Sequence, residues 1–229
     1  MISSKKTAVL VFANSSKEEV RHKTIPKGER LFDILTQETL KKVSRTGLPY
    51  FHISEVEQQG SSFGERFIHA INRVFEQGYD NVIAIGNDTP TLKTSHLLEA
   101  QRQLQLGKTV FGPSRDGGFY LMGLNRGDFN PKTFTRLPWK RFSLFDRISD
   151  VLKNTDCSIF RLPVLRDIDT TADIIFFSGF TRTISGQLLR IFAHILHNKD
   201  QKVLYLKNWF SSISLKLYFN KGSPMAFSS

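Results

Sequence analysis

Three features of this 229-residue chain predict an α/β fold, a mostly parallel sheet with helices on both faces. Two nearly continuous apolar runs, at 8–13 and 81–85, read as strands buried on both sides. Segments with helical spacing lie between the strand-like ones, giving a βαβα order. Two strand-like stretches follow each other directly around 109–122, which predicts one antiparallel excursion in a mixed sheet.

Residues 8–13, Ala-Val-Leu-Val-Phe-Ala, form the first strand. The preceding Lys5-Lys6 makes the start resemble a leader peptide, but six apolar residues fall short of the usual 7–15, so a buried strand is read. Residues 31–43 are helical, with Leu31, Ile34, Leu35 and Leu40 to one side. Residues 49–53 are a short strand. Residues 63–75 are a helix in which Phe67, Ala70, Ile71, Val74 and Phe75 recur at three and four, stopped by Gly78. The strand at 81–85 precedes a helix at 97–106 closed by Gly107, then strands at 109–111 and 119–122. A helix at 143–152 opened by Ser143 and a strand at 158–162 follow. Near Gly179 the chain changes character. Residues 185–197 form an amphipathic helix with Leu188, Ile191, Phe192, Ile195 and Leu196 on one stripe. Strand-like stretches at 203–206 and 213–219 then meet the turn signal Asn220-Lys-Gly222. The expected division is a nucleotide-binding-type domain over 1–178 and a basic amphipathic extension over 179–229, a helix and hairpin packing on it.

Composition narrows the class. A hydrophobic fraction of 40% and a charged fraction of 23% exclude disordered, collagen-like and coiled-coil chains. Twenty of 27 aromatics are Phe, suited to filling a core. The one cysteine, Cys157, excludes an intrachain disulfide framework and a cysteine-built zinc site. It sits in a strand-like setting as a small core residue, and a reducing, cytoplasmic location is expected. No stretch approaches the roughly 20 apolar residues of a membrane-spanning helix. The net charge of +11 is uneven: from 174 to 229, seven basic residues face one acid, so that segment carries +6. This marks the tail as a surface for peripheral membrane or protein contact, with Trp209, Phe210 and Phe219 beside the cations, or as a solvated basic face. No nucleic-acid partner is expected.

Four constellations could carry chemistry. Gly86-Asn87-Asp88-Thr89-Pro90 directly follows a buried strand, where ligands bind in open α/β sheets. Asp88 there is either a metal-binding carboxylate under a ligand phosphate or the acceptor of an Asx-turn or helix cap. Gly112-Pro-Ser114-Arg115-Asp116-Gly117-Gly118 also follows a strand. Its glycines and Arg115 could receive an anion, or the Asp-Gly pair could simply make a hairpin turn. In Arg166-Asp167-Ile168-Asp169-Thr170, alternation would put Asp167 and Asp169 on one side, completing a divalent site with Asp88. Alternatively, Asp169 or Thr170 caps a helix starting near 171. Gln59-Gly60 with Phe63-Gly64-Glu65-Arg66 opens a helix whose amides could hold an anion or merely need a cap. His194 and His197 lack carboxylate company, and His96 reads as a first-turn helix residue. No Gly-x-Ser-x-Gly, Walker A or Gly-x-Gly-x-x-Gly pattern occurs.

Taken in order, Gln59-Gly60, Phe63-Gly64-Glu65-Arg66, Gly86 to Pro90, Gly112 to Gly123, Trp139 and Asp167 to Thr170 resemble the DUF2064 family. This is a GT-A-like group of nucleotide-diphospho-sugar transferase fold, related to phospholactate guanylyltransferase-like enzymes. The resemblance covers roughly residues 8–175. It implies a Rossmann-like, three-layer GT-A-type fold binding a nucleoside di- or triphosphate donor, with an unidentified acceptor. It implies Mg²⁺ or Mn²⁺ held by Asp88, Asp167 and Asp169, with Asp88 and Asp116 as catalytic carboxylates. Lys23, Glu65, Arg66, Gly86, Ser114, Arg115, Gly117 and Gly118 would line the nucleotide-activated substrate. Relatives carry a Lys-Thr-Arg-Leu-type loop after the first strand. Here Lys23-Thr24 is present without the Arg-Leu, and Arg21 is the nearest replacement. The reaction expected is metal-dependent transfer from a nucleotide-activated donor. Glycosyl transfer is favoured because the Gly-rich, Arg-bearing first loop of many sugar nucleotidylyltransferases is absent. The alternatives are nucleotidyl transfer and a degenerate, non-catalytic binding protein of the same fold.

Overall fold

A computed structural model describes residues 5–23, 25–139, 144–153 and 158–197. The expectations for Thr24, Ser143, Cys157 and everything beyond 197, including the hairpin and its aromatics, lie outside those residues.

Six strands form one sheet in the order β2-β1-β3-β5-β4-β6. They are β1 (Thr7–Phe12), β2 (Tyr50–Ile53), β3 (Asn81–Ile85), β4 (Thr109–Pro113), β5 (Phe119–Asn125) and β6 (Ile159–Arg161). β1 pairs parallel with β2 and β3, and β4 pairs parallel with β6. β5 runs antiparallel between β3 and β4, which is the excursion expected around 109–122. β3 is buried at every position, as the apolar run after Asn81 requires.

Eight helices are described: α1 (Ser16–His22), α2 (Gly28–Ser44), α3 (Phe63–Glu76), α4 (Thr94–Gln105), α5 (Pro131–Thr135), α6 (Leu144–Lys153), α7 (Thr171–Ser178) and α8 (Gly186–Ile195). On one face of the sheet, Leu10, Ala84, Phe111 and Met122 meet Phe67, Ile68 and Ile71 of α3 and Leu144 and Ile148 of α6. On the other, Val9, Ile83 and Val110 meet Leu97, Ala100 and Leu104 of α4. This is the three-layer arrangement. A third apolar cluster joins Leu31, Phe32 and Leu35 of α2 to Ile174 and Phe177 of α7 and to Leu188 and Phe192 of α8. The whole stripe expected on α8 is buried there.

The motif at 63–66 belongs to packing and capping. Ser62 and Glu65 form a capping box on α3. Gly64 lies against Trp139, whose ring edge would stand 2.3 Å from an added Cβ. Trp139 is held by its indole N–H donating to the Phe134 carbonyl at 2.9 Å. Glycine and tryptophan, 75 residues apart in the sequence, are thus two halves of one contact.

Two helices were not foreseen. α1 has Val20 as its one aliphatic side chain, so it shows no stripe. It forms because Ser15 caps it and acids fill its first turn. α5 is a five-residue turn started by Asn130 and Pro131.

Candidate functional site

The loops after β1, β3, β4 and β6 gather at the carboxyl ends of the parallel strands, where open α/β sheets bind ligands. After β1 the chain enters α1, which buries Glu19 and ends on Lys23. After β3 comes the turn carrying Asp88. After β4 come Ser114 and Asp116. The segment beyond β6 runs back along this rim. The Leu165 N–H donates to the Pro113 carbonyl at the end of β4, its carbonyl accepts from the Arg115 N–H, and the Ile168 N–H donates to the Asp88 carbonyl at 2.9 Å.

The centre of the site is an ammonium. Lys23 Nζ lies 2.5 Å from Asp88 Oδ2, 3.0 Å from Asp169 Oδ1 and 3.2 Å from Glu19 Oε1. It also donates to the Ile168 carbonyl at 3.0 Å. Its side chain is 12% exposed. Burial alone would lower the lysine pKa, but the charges of Asp88, Glu19 and Asp169 outweigh it and hold the ammonium well above the usual lysine range. A polar chain extends from here. Glu19 accepts from the Asn14 amide at 3.0 Å, Asn14 accepts from Gln58 at 3.4 Å, and Gln58 accepts from Arg66 Nε at 3.2 Å. Arg66 therefore reaches the site through three side chains. Its neighbour Glu65 is committed to the α3 cap, accepting from the Ser61 and Ser62 amides at 2.7 and 3.2 Å.

Asp167 is placed differently. Its Oδ1 accepts from the Thr89 hydroxyl at 2.5 Å. Burial, then the nearby charge of Asp88, pushes its carboxyl up to about 7. Hydrogen bonds from Thr89 and Ser114 oppose the rise, and the charge of Asp116 adds to it. Asp116 is tied into its own turn, accepting from the Ser114 hydroxyl and, at 2.9 Å, from the Gly118 N–H. Gly117 supplies the left-handed residue of that turn, at φ +89°. Arg115 is exposed and makes no ion pair among the described residues. Gly86 leaves room for the Asp88 carboxylate, which would lie 3.2 Å from an added Cβ.

Sequence spacing put Asp167 and Asp169 on one side; in the structure they face different partners. The capping alternative holds as well: Thr170 caps α7 in a capping box with Asp173. Arg21, the nearest replacement for the missing loop arginine, is turned to Glu18 at 2.7 Å on the outside of α1. Glu19 was missed. Its signal was the i,i+4 spacing to Lys23, visible only once 16–22 is known to be helical.

Among the described residues no three or more His, Cys, Asp or Glu side chains stand ready to cage an ion. The donor chemistry nevertheless fits a hard divalent cation. Two carboxylate oxygens face a single point, and Mg²⁺ is typically held by one or two carboxylates completed by substrate phosphates.

Residues 34–141 match the family DUF2064, described as an uncharacterized protein conserved in bacteria. No curated protein matches the chain. Among solved structures, the chain is similar to a protein of Desulfovibrio desulfuricans G20 provisionally named a nucleotide-diphospho-sugar transferase. The identity is 23%, the match covers 83% of this chain and 96% of that one, and the TM-score is 0.72. Looser likenesses reach CMP:2-keto-3-deoxy-manno-octonic acid synthetase complexed with CTP and Rv0371c of Mycobacterium tuberculosis H37Rv. The first is 11% identical over 77% of this chain and 98% of that one, with a TM-score of 0.46. The second is 14% identical over 80% and 99%, with a TM-score of 0.41. Neither is close enough to bear on function. Residues 34–141 are thus similar to the DUF2064 family, and the chain shares its α/β fold with the Desulfovibrio structure.

Proposed function

We propose that this chain is a transferase that takes a nucleotide-activated donor at the Lys23–Asp88–Asp169 rim and passes on its glycosyl group. The observation that carries the reading is the convergence of two aspartates from separate loops on one cationic point at the ligand-binding ends of the strands. Five carboxylates (Glu19, Asp88, Asp116, Asp167 and Asp169) share this rim with the buried Lys23 ammonium. Such a rim repels a free diphosphate and accepts one accompanied by a divalent cation.

Asp88 and Asp169 would hold Mg²⁺ or Mn²⁺. When bound, the ion would neutralise the diphosphate and stabilise the charge developing on the leaving nucleoside diphosphate. Lys23 adds a second positive charge from α1. The 114–118 turn, fixed by Asp116, presents the Arg115 side chain to the phosphate or acceptor side. Asp167, braced by Thr89, keeps a further carboxyl beside Asp88. Glycosyl transfer is favoured over nucleotidyl transfer because β1 leads through Asn14-Ser15 into α1, with no glycine-rich, arginine-bearing loop there.

Calorimetry with nucleoside diphosphates and their sugars, with Mg²⁺ or Mn²⁺, tests this reading. Wild type should bind at least one of them in a metal-dependent way, and Asp88→Ala should abolish that binding. Equal binding by Asp88→Ala would remove Asp88 from the site. No response to any nucleotide would point to the non-catalytic alternative.

A further inference from the structure

Lys23 Nζ has four oxygen neighbours within 3.2 Å, from Asp88, Asp169, Glu19 and the Ile168 carbonyl. An ammonium has three protons to donate, so its bonding capacity is filled. The point it occupies is also where the Asp88 and Asp169 oxygens converge. A second cation cannot share that point, because two positive charges a few ångströms apart in a partly buried site repel strongly. With three carboxylates against one ammonium, the cluster keeps an excess negative charge that a dication would answer better than a monocation.

We propose that Lys23 is a tethered counter-ion: its ammonium holds the Asp88–Asp169 pair together in the metal-free protein, and a divalent cation gains that pair by displacing it. This rests on the reading of the rim as a metal and phosphate site. The architecture suits an exchange. Lys23 is the C-cap of α1, so only its flexible four-carbon stem must move while the helix stays. The displaced ammonium remains at the same rim, where phosphates can take it up. Metal uptake and phosphate binding are therefore coupled. A phosphate that accepts the ammonium makes the carboxylate pair easier for the ion to claim, and the ion in turn frees the ammonium for the phosphate. In the metal-free protein the same contact prevents repulsion among Glu19, Asp88 and Asp169.

The test uses the full chain and Mn²⁺ alone, without nucleotide, followed by electron paramagnetic resonance or calorimetry. Lys23→Met should bind Mn²⁺ about tenfold or more tightly than wild type, since the competitor is gone. Lys23→Arg should show no such gain, and adding Asp169→Asn to Lys23→Met should remove it. Should Lys23→Met fold poorly without metal, its melting temperature supplies the second readout. Mn²⁺ should raise it by more than it raises that of wild type. Equal or weaker Mn²⁺ binding by Lys23→Met overturns the counter-ion proposal, and so does a failure of both proteins to bind Mn²⁺. Wild type that still binds nucleoside diphosphates in either case leaves the transferase reading standing. The expected Mn²⁺ pattern without any nucleotide binding would instead overturn the transferase reading and support the counter-ion.

Discussion

Asp167 and Asp169 are separated by one residue and live in opposite electrostatic settings. Asp169 lies 3.0 Å from the Lys23 ammonium. Among the described residues Asp167 has no ion pair with a cation. It leans on the Thr89 hydroxyl, faces the charges of Asp88 and Asp116, and its carboxyl is pushed up to about 7 by burial first and Asp88 second. Four residues on, Asp173 gives a third case. Burial would raise its pKa, but hydrogen bonds from Thr170, Arg166 and the Asp169 N–H hold it below the usual carboxylate range. What an aspartate can do at this rim is set by which cation or donor reaches it. Position along the chain does not reveal that.

Removing the cation should have the largest effect on these carboxylates. Lys23→Met leaves Glu19, Asp88 and Asp169 facing one another without compensation. Loss of one partner from a buried ion cluster should cost about 3 kcal/mol in metal-free buffer, read by urea denaturation. Asp167→Asn sharpens the other side. A carboxyl whose folded pKa of about 7 lies above its ordinary value contributes stability that is full below about pH 4 and lost as pH rises through about 7. In chelator-containing buffer, Asp167→Asn should therefore gain roughly 1–2 kcal/mol over wild type at pH 8 and little at pH 4. Asp173→Asn should behave in the opposite sense. Its depressed pKa contributes stability that is present above the ordinary carboxylate range and lost as pH falls through the folded value. The substitution should cost about 1 kcal/mol at pH 7, with the difference vanishing in acid, as pH-dependent melting would show.

The sheet was legible in the sequence because strands buried on both faces are nearly continuous apolar runs, as 82–85 is, and because α3 and α8 carry stripes wide enough to see. α1 and α5 were not, because capping and a proline start them rather than an apolar face. Motif resemblance brought Asp88, Asp169, Lys23 and Ser114 to the same rim. It did not reveal that Lys23 sits inside the carboxylate pair, since 65 residues separate Lys23 from Asp88. The parting of Asp167 and Asp169 escaped for a related reason. Strict alternation assumes a regular strand, whereas this segment is stitched to Asp88 by the Ile168 N–H and offers its Ile168 carbonyl to Lys23.

A crystal of the full chain grown with Mn²⁺ and a nucleoside diphosphate, measured at the manganese absorption edge, decides whether the ion displaces Lys23 at this rim. Expected are an anomalous peak within coordinating distance of Asp88 and Asp169, the diphosphate at the same rim, and the Lys23 ammonium moved off the pair. Lys23 still bridging Asp88 and Asp169, with no peak and no nucleotide between the loops after β1, β3 and β4, would contradict that displacement.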